Sequence, residues 1–440
     1  MASTMQPIRV DSGAVEQTAQ TVAAALTRAA RPGPIPAAGG GSPIDAAATA
    51  LAEAVGAKVA TLSAQVGPKS AELLGISAAA VRQLQAQDKA NADQIRAVAG
   101  TQPLDNGWKT GPPSAPGDMS SGDIDAIDKA NRALLDSMEQ EYRALPDGQV
   151  KTDRLADIAG IREALKVPES HLVYLARPDN PADMIPAATA IGDPFNADHV
   201  SVTVPGVSGA TRHSIATMTR EAYGLRREAQ EIARVTGDSQ NVSTIAWVGY
   251  QPPPNLGSLQ TPFDDLAKAG APKLESFLQN LNSASHNPGH TTALFGHSYG
   301  SLVSGIALKD GASSVVDNAV MYGSPGFEAT SPAKLGMNDH NFFVMTAPDD
   351  PIRYVANLAP LHGWGSDPNE VIFGPGPRYR FTHLDTDAGW VDLGGQQIYK
   401  TGSHGHSGYP HDPMQQMTGF NLATILLNRP DLAVRVGPYH

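Results

Sequence analysis

The sequence predicts an α/β fold, with a mainly parallel sheet flanked by helices behind an N-terminal all-α helical module. Three observations point there. From residue 124 onward, short apolar runs alternate with longer amphipathic ones, the pattern of strands joined by crossover helices. Residues 291–308, TTALFGHSYGSLVSGIAL, read as a strand, a glycine-bounded turn and a helix of small residues in direct succession. The first hundred residues carry helix signals and none of that alternation.

The helical module comes first. Residues 11–30 read as a helix with Asp11 as N-cap, and residues 31–41 (RPGPIPAAGGG) read as a loop. Ser42-Pro43 restarts a helix with a capping serine and a proline at the first helical position. Leu51, Val55, Val59, Leu62 and Val66 then recur at spacings of three and four, until Gly67-Pro68 breaks the pattern. Residues 70–98 form a third helical stretch. These stripes are thin and alanine-rich, so they need partners to hold them. Residues 99–123 are a Gly/Pro/Ser linker in which Trp108 is the one large anchor, expected to dock on a neighbouring surface. The expected division is therefore 1–98, 99–123 and 124–440.

In the α/β part, a helix is expected over 124–145 and strands over 171–176 and 187–191. A strand over 198–204 leads into Pro205-Gly206-Val207-Ser208-Gly209, followed by a charged amphipathic helix over 214–235. Next come a buried strand over 242–249 and a helix over 263–281 that breaks near Gly270–Pro272. After the 291–308 segment, strands fall at 318–322 and 341–346, and the last helix at 414–427.

Composition excludes several functions. The net charge is −12, only 17% of residues are charged, and no Lys/Arg block forms a phosphate-binding stripe, which argues against nucleic acid as a partner. The absence of cysteine excludes disulfides, thiolate catalysis and Cys-based metal sites. No run approaches the length of a membrane-spanning helix, and the N-terminus lacks a basic stretch followed by an apolar one. The expected location is thus the cytoplasm, or outside the cell by a route without a Sec signal peptide.

The chemistry centres on Gly296-His297-Ser298-Tyr299-Gly300. This G-x-S-x-G pattern between a strand and a helix is that of a nucleophile elbow, which holds a serine hydroxyl out of a strained turn and predicts an α/β-hydrolase-type sheet. A serine hydroxyl needs an adjacent imidazole as base, and the imidazole needs a carboxylate to fix its tautomer. In this order of elements the acid follows a later strand and the histidine lies in a loop beyond it. Asp350, in Asp350-Pro351-Ile352 after the 341–346 strand, is the preferred acid, with Asp349 the alternative. His406, in the loop before the last helix, is the preferred base, with His404 second; His362 falls too early and is a candidate pocket residue. Reading His404, His406 and His411 as a metal site would leave the elbow unexplained and finds no acid before Asp412, so no metal or cofactor is expected. One oxyanion-hole donor is the backbone N–H of Tyr299. The second is Gly206 or Val207, preferably Val207, since Pro205 has no N–H. Trp247, Tyr250, Trp364 and Pro252-Pro253-Pro254 line an apolar pocket or belong to the core.

Several segments resemble an actinobacterial α/β-hydrolase family of unknown physiological role. They are Asn131-Arg132, Gly192-Asp193-Pro194, Ala197-Asp198-His199-Val200, Val204-Pro205-Gly206, Trp247-Val248-Gly249-Tyr250, the elbow with Ser301, Gly323-Ser324-Pro325-Gly326 and His406-Ser407-Gly408-Tyr409. The resemblance covers about residues 123–430. It implies an esterase- or lipase-like serine hydrolase with Ser298 as nucleophile. Residues 1–98 are more loosely similar to alanine-rich helical modules of type VII secretion-associated proteins, which implies a secretion-system or self-association partner and a type VII export route. In that family the turn is Trp-x-Gly, whereas here Trp108 is followed by Lys109-Thr110-Gly111. The leading expectation is hydrolysis of a small-molecule or lipid ester. The competing ones are acyl transfer on the same residues and a non-catalytic protein acting through its N-terminal helices.

Overall fold

A computed structural model of the chain describes residues 119–180, 182–254, 264–357, 359–373 and 378–437. The three helical stretches expected within residues 1–98, and Trp108, lie outside the described residues. Two helices open the described part, α1 (Ile124–Ala144) and α2 (Gln149–Ala164), followed by β1 (Ser170–Leu175), β2 (Ala187–Ile191) and β3 (His199–Val204). Next are α3 (Thr211–Thr236), β4 (Val242–Val248), α4 (Asp265–Ala284), β5 (Thr291–His297), α5 (Gly300–Asp310), β6 (Asn318–Tyr322) and β7 (Phe342–Met345). Two short helices, α6 (Ile352–Ala356) and α7 (Ala359–His362), precede a small hairpin of β8 (Val371–Ile372) and β9 (Arg378–Tyr379). After β10 (Thr382–His383), a second hairpin of β11 (Gly389–Leu393) and β12 (Gln396–Lys400) leads to α8 (Met417–Leu426).

Eight strands form one sheet in the order β1-β2-β4-β3-β5-β6-β7-β10. β2 runs antiparallel to β1 and β4, and every pair from β4 to β10 is parallel. The central strands are buried on both faces, which is why they read as continuous apolar runs; every residue of β4 and β6 is buried. One face is packed by α4 and α5 through Leu274, Phe277, Leu302 and Ile306. The other is packed by α3 and α8 through Leu225, Ile232, Phe420 and Ile425. Each such side chain contributes roughly 1.5–3 kcal/mol when fully buried.

The strand order fixes where a site can form. β3 lies between β4 and β5. Its crossover through α3 leads to β4 on one side, whereas α5 carries the chain from β5 to β6 on the other. The C-terminal ends of β3 and β5 therefore border the crevice where the winding reverses.

Three features differ from expectation. Helix α4 runs unbroken through Gly270 and Pro272, because Ala267, Ala271, Leu274 and Leu278 on either side stay buried against the sheet. Helix α2 was not assigned from sequence: its buried face holds the ion pair Arg154–Asp157, 3.1 Å apart and fully enclosed, which interrupts the apolar period. Of the two alternatives open for Trp247, Tyr250 and Trp364, pocket or core, the burial fits the core: each is at most 3% exposed. The β11–β12 hairpin is also new; Lys400 at its end is buried, bonding Glu228 of α3 at 2.6 Å and the Met414 carbonyl at 2.7 Å.

Candidate active site

The elbow sits at the C-terminal end of β5, one residue past the strand. Ser298 has φ +52°, a left-handed conformation that costs a non-glycine residue about 1–2 kcal/mol. The surroundings impose it. A Cβ at Gly296 would stand 2.9 Å from Ser301 Cα, and one at Gly300 would stand 2.5 Å from the carbonyl oxygens of Val204 and Pro205. The two glycines thus let β5 and α5 meet β3 at backbone distance. Ser301 Oγ donates to the Ser298 carbonyl at 2.6 Å and lies 2.7 Å from Ser324 Oγ, which ties the elbow to the Gly323–Gly326 loop after β6.

His406 reaches Ser298 from the loop between β12 and α8. Its Nε2 is 2.8 Å from Ser298 Oγ, and its Nδ1 is 3.0 and 3.1 Å from the two oxygens of Asp350. A carboxylate only accepts, so Nδ1 carries the hydrogen and Nε2 presents its lone pair to the serine hydroxyl. Asp350 follows β7, has a fully buried side chain, and also accepts from the Ile352 N–H at 2.8 Å and from the Tyr409 hydroxyl at 2.7 Å. Burial pushes its carboxyl up, but these hydrogen bonds, His406 foremost, outweigh burial and hold it below its ordinary value. The arrangement can move the Ser298 proton to His406 while a fixed anion faces the imidazolium.

The alternatives sit elsewhere. Asp349 and His404 pair with each other at the surface, 3.2 Å apart, and Asp349 also accepts from the Gly405 N–H at 2.9 Å. His411 lies 3.4 Å from Glu221 of α3, so the three loop histidines face three different carboxylates. Among the described residues no group of His, Asp and Glu is placed to hold a metal ion. His362 is exposed and stacks on Trp364 at 4.7 Å.

The segment after β3 closes against the serine. A Cβ at Gly206 would stand 2.5 Å from Ser298 Cβ and 3.0 Å from its Oγ, so only glycine lets this backbone pass. The buried Tyr250 hydroxyl donates to the Pro205 carbonyl at 2.7 Å and fixes the turn that presents Gly206 and Val207. Tyr299, whose N–H is the other expected donor, is the residue that opens α5 and is buried.

Three neighbours had no role assigned from sequence. Gly323, at φ +53°, lies where Asp350, His406 and Tyr409 converge: a Cβ there would meet all three within 3.4 Å. His297 donates from Nε2 to the His406 carbonyl at 3.0 Å, and burial, aided by nearby His406, pulls its imidazole down to about 4. Tyr409 joins the acid to the histidine loop. All three stand inside segments already marked by family resemblance, but nothing local in the sequence says what they touch.

A family model described as "Alpha/beta hydrolase" matches residues 180–360, which hold Ser298 and Asp350. An uncharacterized protein of Mycobacterium tuberculosis is 35% identical over 224 residues, 50% of this chain and 81% of that protein. An uncharacterized protein of Mycobacterium bovis matches with the same figures. A further uncharacterized M. tuberculosis protein is 30% identical over 178 residues, 26% of its length. Among solved structures, a fungal esterase from Rhizomucor miehei superposes with TM-score 0.36 at 14% identity, over 69% of this chain and 96% of that one. With its sheet order, its family match and 81% of a mycobacterial relative covered at 35% identity, the chain belongs to the alpha/beta hydrolase family.

Proposed function

We propose that the protein is a serine hydrolase that cleaves carboxylic esters through Ser298, His406 and Asp350. The observation that carries this reading is the continuous hydrogen-bonded chain from Ser298 Oγ through both nitrogens of His406 to a buried carboxylate. Ser298 Oγ attacks the ester carbonyl carbon as its proton passes to His406 Nε2. The carbonyl oxygen becomes an oxyanion and accepts from the backbone N–H groups of Tyr299 and Val207. Collapse of this intermediate breaks the ester C–O bond, and His406 gives its proton to the leaving alcohol. Water, deprotonated by His406, then attacks the acyl-serine and releases the acid. Asp350 stays ionised throughout, holding His406 in one tautomer and facing the imidazolium. Each oxyanion donor is worth roughly 3 kcal/mol of transition-state stabilisation.

The test is a panel of p-nitrophenyl esters of increasing acyl length, with covalent labelling by a fluorophosphonate. Wild type should turn over at least one ester and label once; Ser298→Ala should lose the label and at least about 10³-fold in kcat. Wild-type protein that neither turns over nor labels would sink the reading.

A further inference from the structure

We propose that Tyr409 is a positioning residue: its phenol bridges the loop that carries the acid to the loop that carries the base and tunes how strongly Asp350 attracts the His406 proton. The proposal rests on the reading of Asp350 and His406 as acid and base.

The Tyr409 hydroxyl makes two hydrogen bonds, and both go to the segment after β7. It donates to Asp350 Oδ2 at 2.7 Å and accepts from the Ala347 N–H at 2.8 Å. Tyr409 itself lies three positions after His406. One side chain therefore spans the start of the acid loop, the acid and the base loop. Its ring is 2% exposed and wedged against Tyr322 and His297, with centroids 5.5 and 5.9 Å away. Burial, followed by the nearness of Asp350, pushes the phenol above its ordinary value, so it remains a donor across the working pH range.

The physical consequence has a definite sign. A hydrogen bond donated to a carboxylate lowers its basicity. Losing the Tyr409 donor leaves Asp350 more basic, which favours the imidazolium of His406 and raises its pKa. The titratable groups facing the pair are His297 from β5, Tyr322 from β6, Tyr409 itself, and the surface pair Asp349–His404 beside it. A Tyr409→Phe substitution alters none of these except the phenol.

The test follows the His406 Cε1–H signal by NMR in histidine-labelled full-length protein, assigned with His406→Gln. The variants are Tyr409→Phe, Asp350→Asn and the double substitution. Tyr409→Phe should raise the His406 pKa by about half a unit, and the same change in the Asp350→Asn background should move it by less than about a third of that. The acid limb of kcat/KM should shift upward in step, with kcat per labelled serine down about three- to tenfold and KM within about twofold. Placing 3-fluorotyrosine at 409 keeps the fold and strengthens the donor, so it should move the pKa the opposite way; it decides the matter if Tyr409→Phe does not fold. An unmoved His406 pKa in folded Tyr409 variants overturns the proposal, as does an equal shift in both backgrounds. Failure of the ester and labelling assays would overturn the hydrolase reading instead, while the NMR titration still decides on Tyr409.

Discussion

The elbow around Ser298 and the loop around His406 meet at two hydrogen bonds, Ser298 to the His406 ring and His297 to the His406 carbonyl, but are built by different means. The elbow is held by contact. Gly206, Gly296 and Gly300 each face a neighbour at 2.5–2.9 Å from where a Cβ would stand, so the backbone has one way to pass. The His406 loop is confined at Gly408, where a Cβ would stand 2.1 Å from the His404 carbonyl oxygen, and is otherwise held by directed polar bonds to distant groups: Asp350 is 56 positions from His406, and Tyr409 is 59 from Asp350. Steric confinement leaves a mark in the local sequence, whereas long-range hydrogen bonds leave almost none.

The sharpest way to break this contrast is to separate two adjacent carboxylates of the polar region. Asp350→Asn should lower kcat by about 10⁴-fold, because an amide no longer favours the productive tautomer of His406. Asp349→Asn should cost no more than about threefold, since it loses contacts to exposed His404 and the Gly405 N–H only. Steady-state kinetics on labelled serine decides; the reverse order would move the acid by one residue.

A glycine pair compares the two regions directly. Gly206→Ala pushes a methyl into Ser298 and should lower kcat/KM by about 10²-fold or more. Gly405→Ala places its methyl in open space at φ +64°. It should cost about 1 kcal/mol of stability and only a few-fold in activity. Comparable losses for both would mean that the loop is as confined as the elbow.

The smallest effect is on acid stability. His297, on the elbow side, has its folded pKa pulled to about 4, and buried His383 on β10 likewise. Their unfolded values lie near 6.5, so between about 6.5 and 4 the unfolded chain binds the extra protons. The stability these groups provide is complete above about pH 6.5 and is lost as pH falls toward 4. Glu221, raised by burial to about 8, acts in the opposite direction over this range, so the comparison decides: from pH 7 to 4.5 the wild-type melting temperature should lose ground to that of His297→Gln. The window stops short of Asp350, whose depressed pKa moves its own loss to lower pH.

The same contrast explains what was legible in the sequence. The central strands could be read because both faces are buried, and β2 and β6 fall on the expected residues. The elbow announced itself through its glycines. The preference for Asp350 and His406 rests on position after a strand and before the last helix, a weaker signal that leaves Asp349 and His404 as alternatives. Helix α2 was hidden by the buried charges of Arg154 and Asp157, and the end of β12 by Lys400, a lysine in an interior position. The partner of Tyr409 could not be read because it depends on how two loops meet.

That interior lysine has an evolutionary consequence. Lys400 is moored to Glu228 and to the Met414 carbonyl downstream of the β11–β12 turn at Gly394-Gly395 and upstream of His406. Removing one partner of such an enclosed pair typically costs about 3–5 kcal/mol, so the mooring is hard to lose. Chain inserted at the turn ends before the mooring and leaves His406 where it is. The hairpin, with Trp390 and Tyr399 on its outer side, is thus a place where descendants of this sequence can acquire new surface without retuning their chemistry.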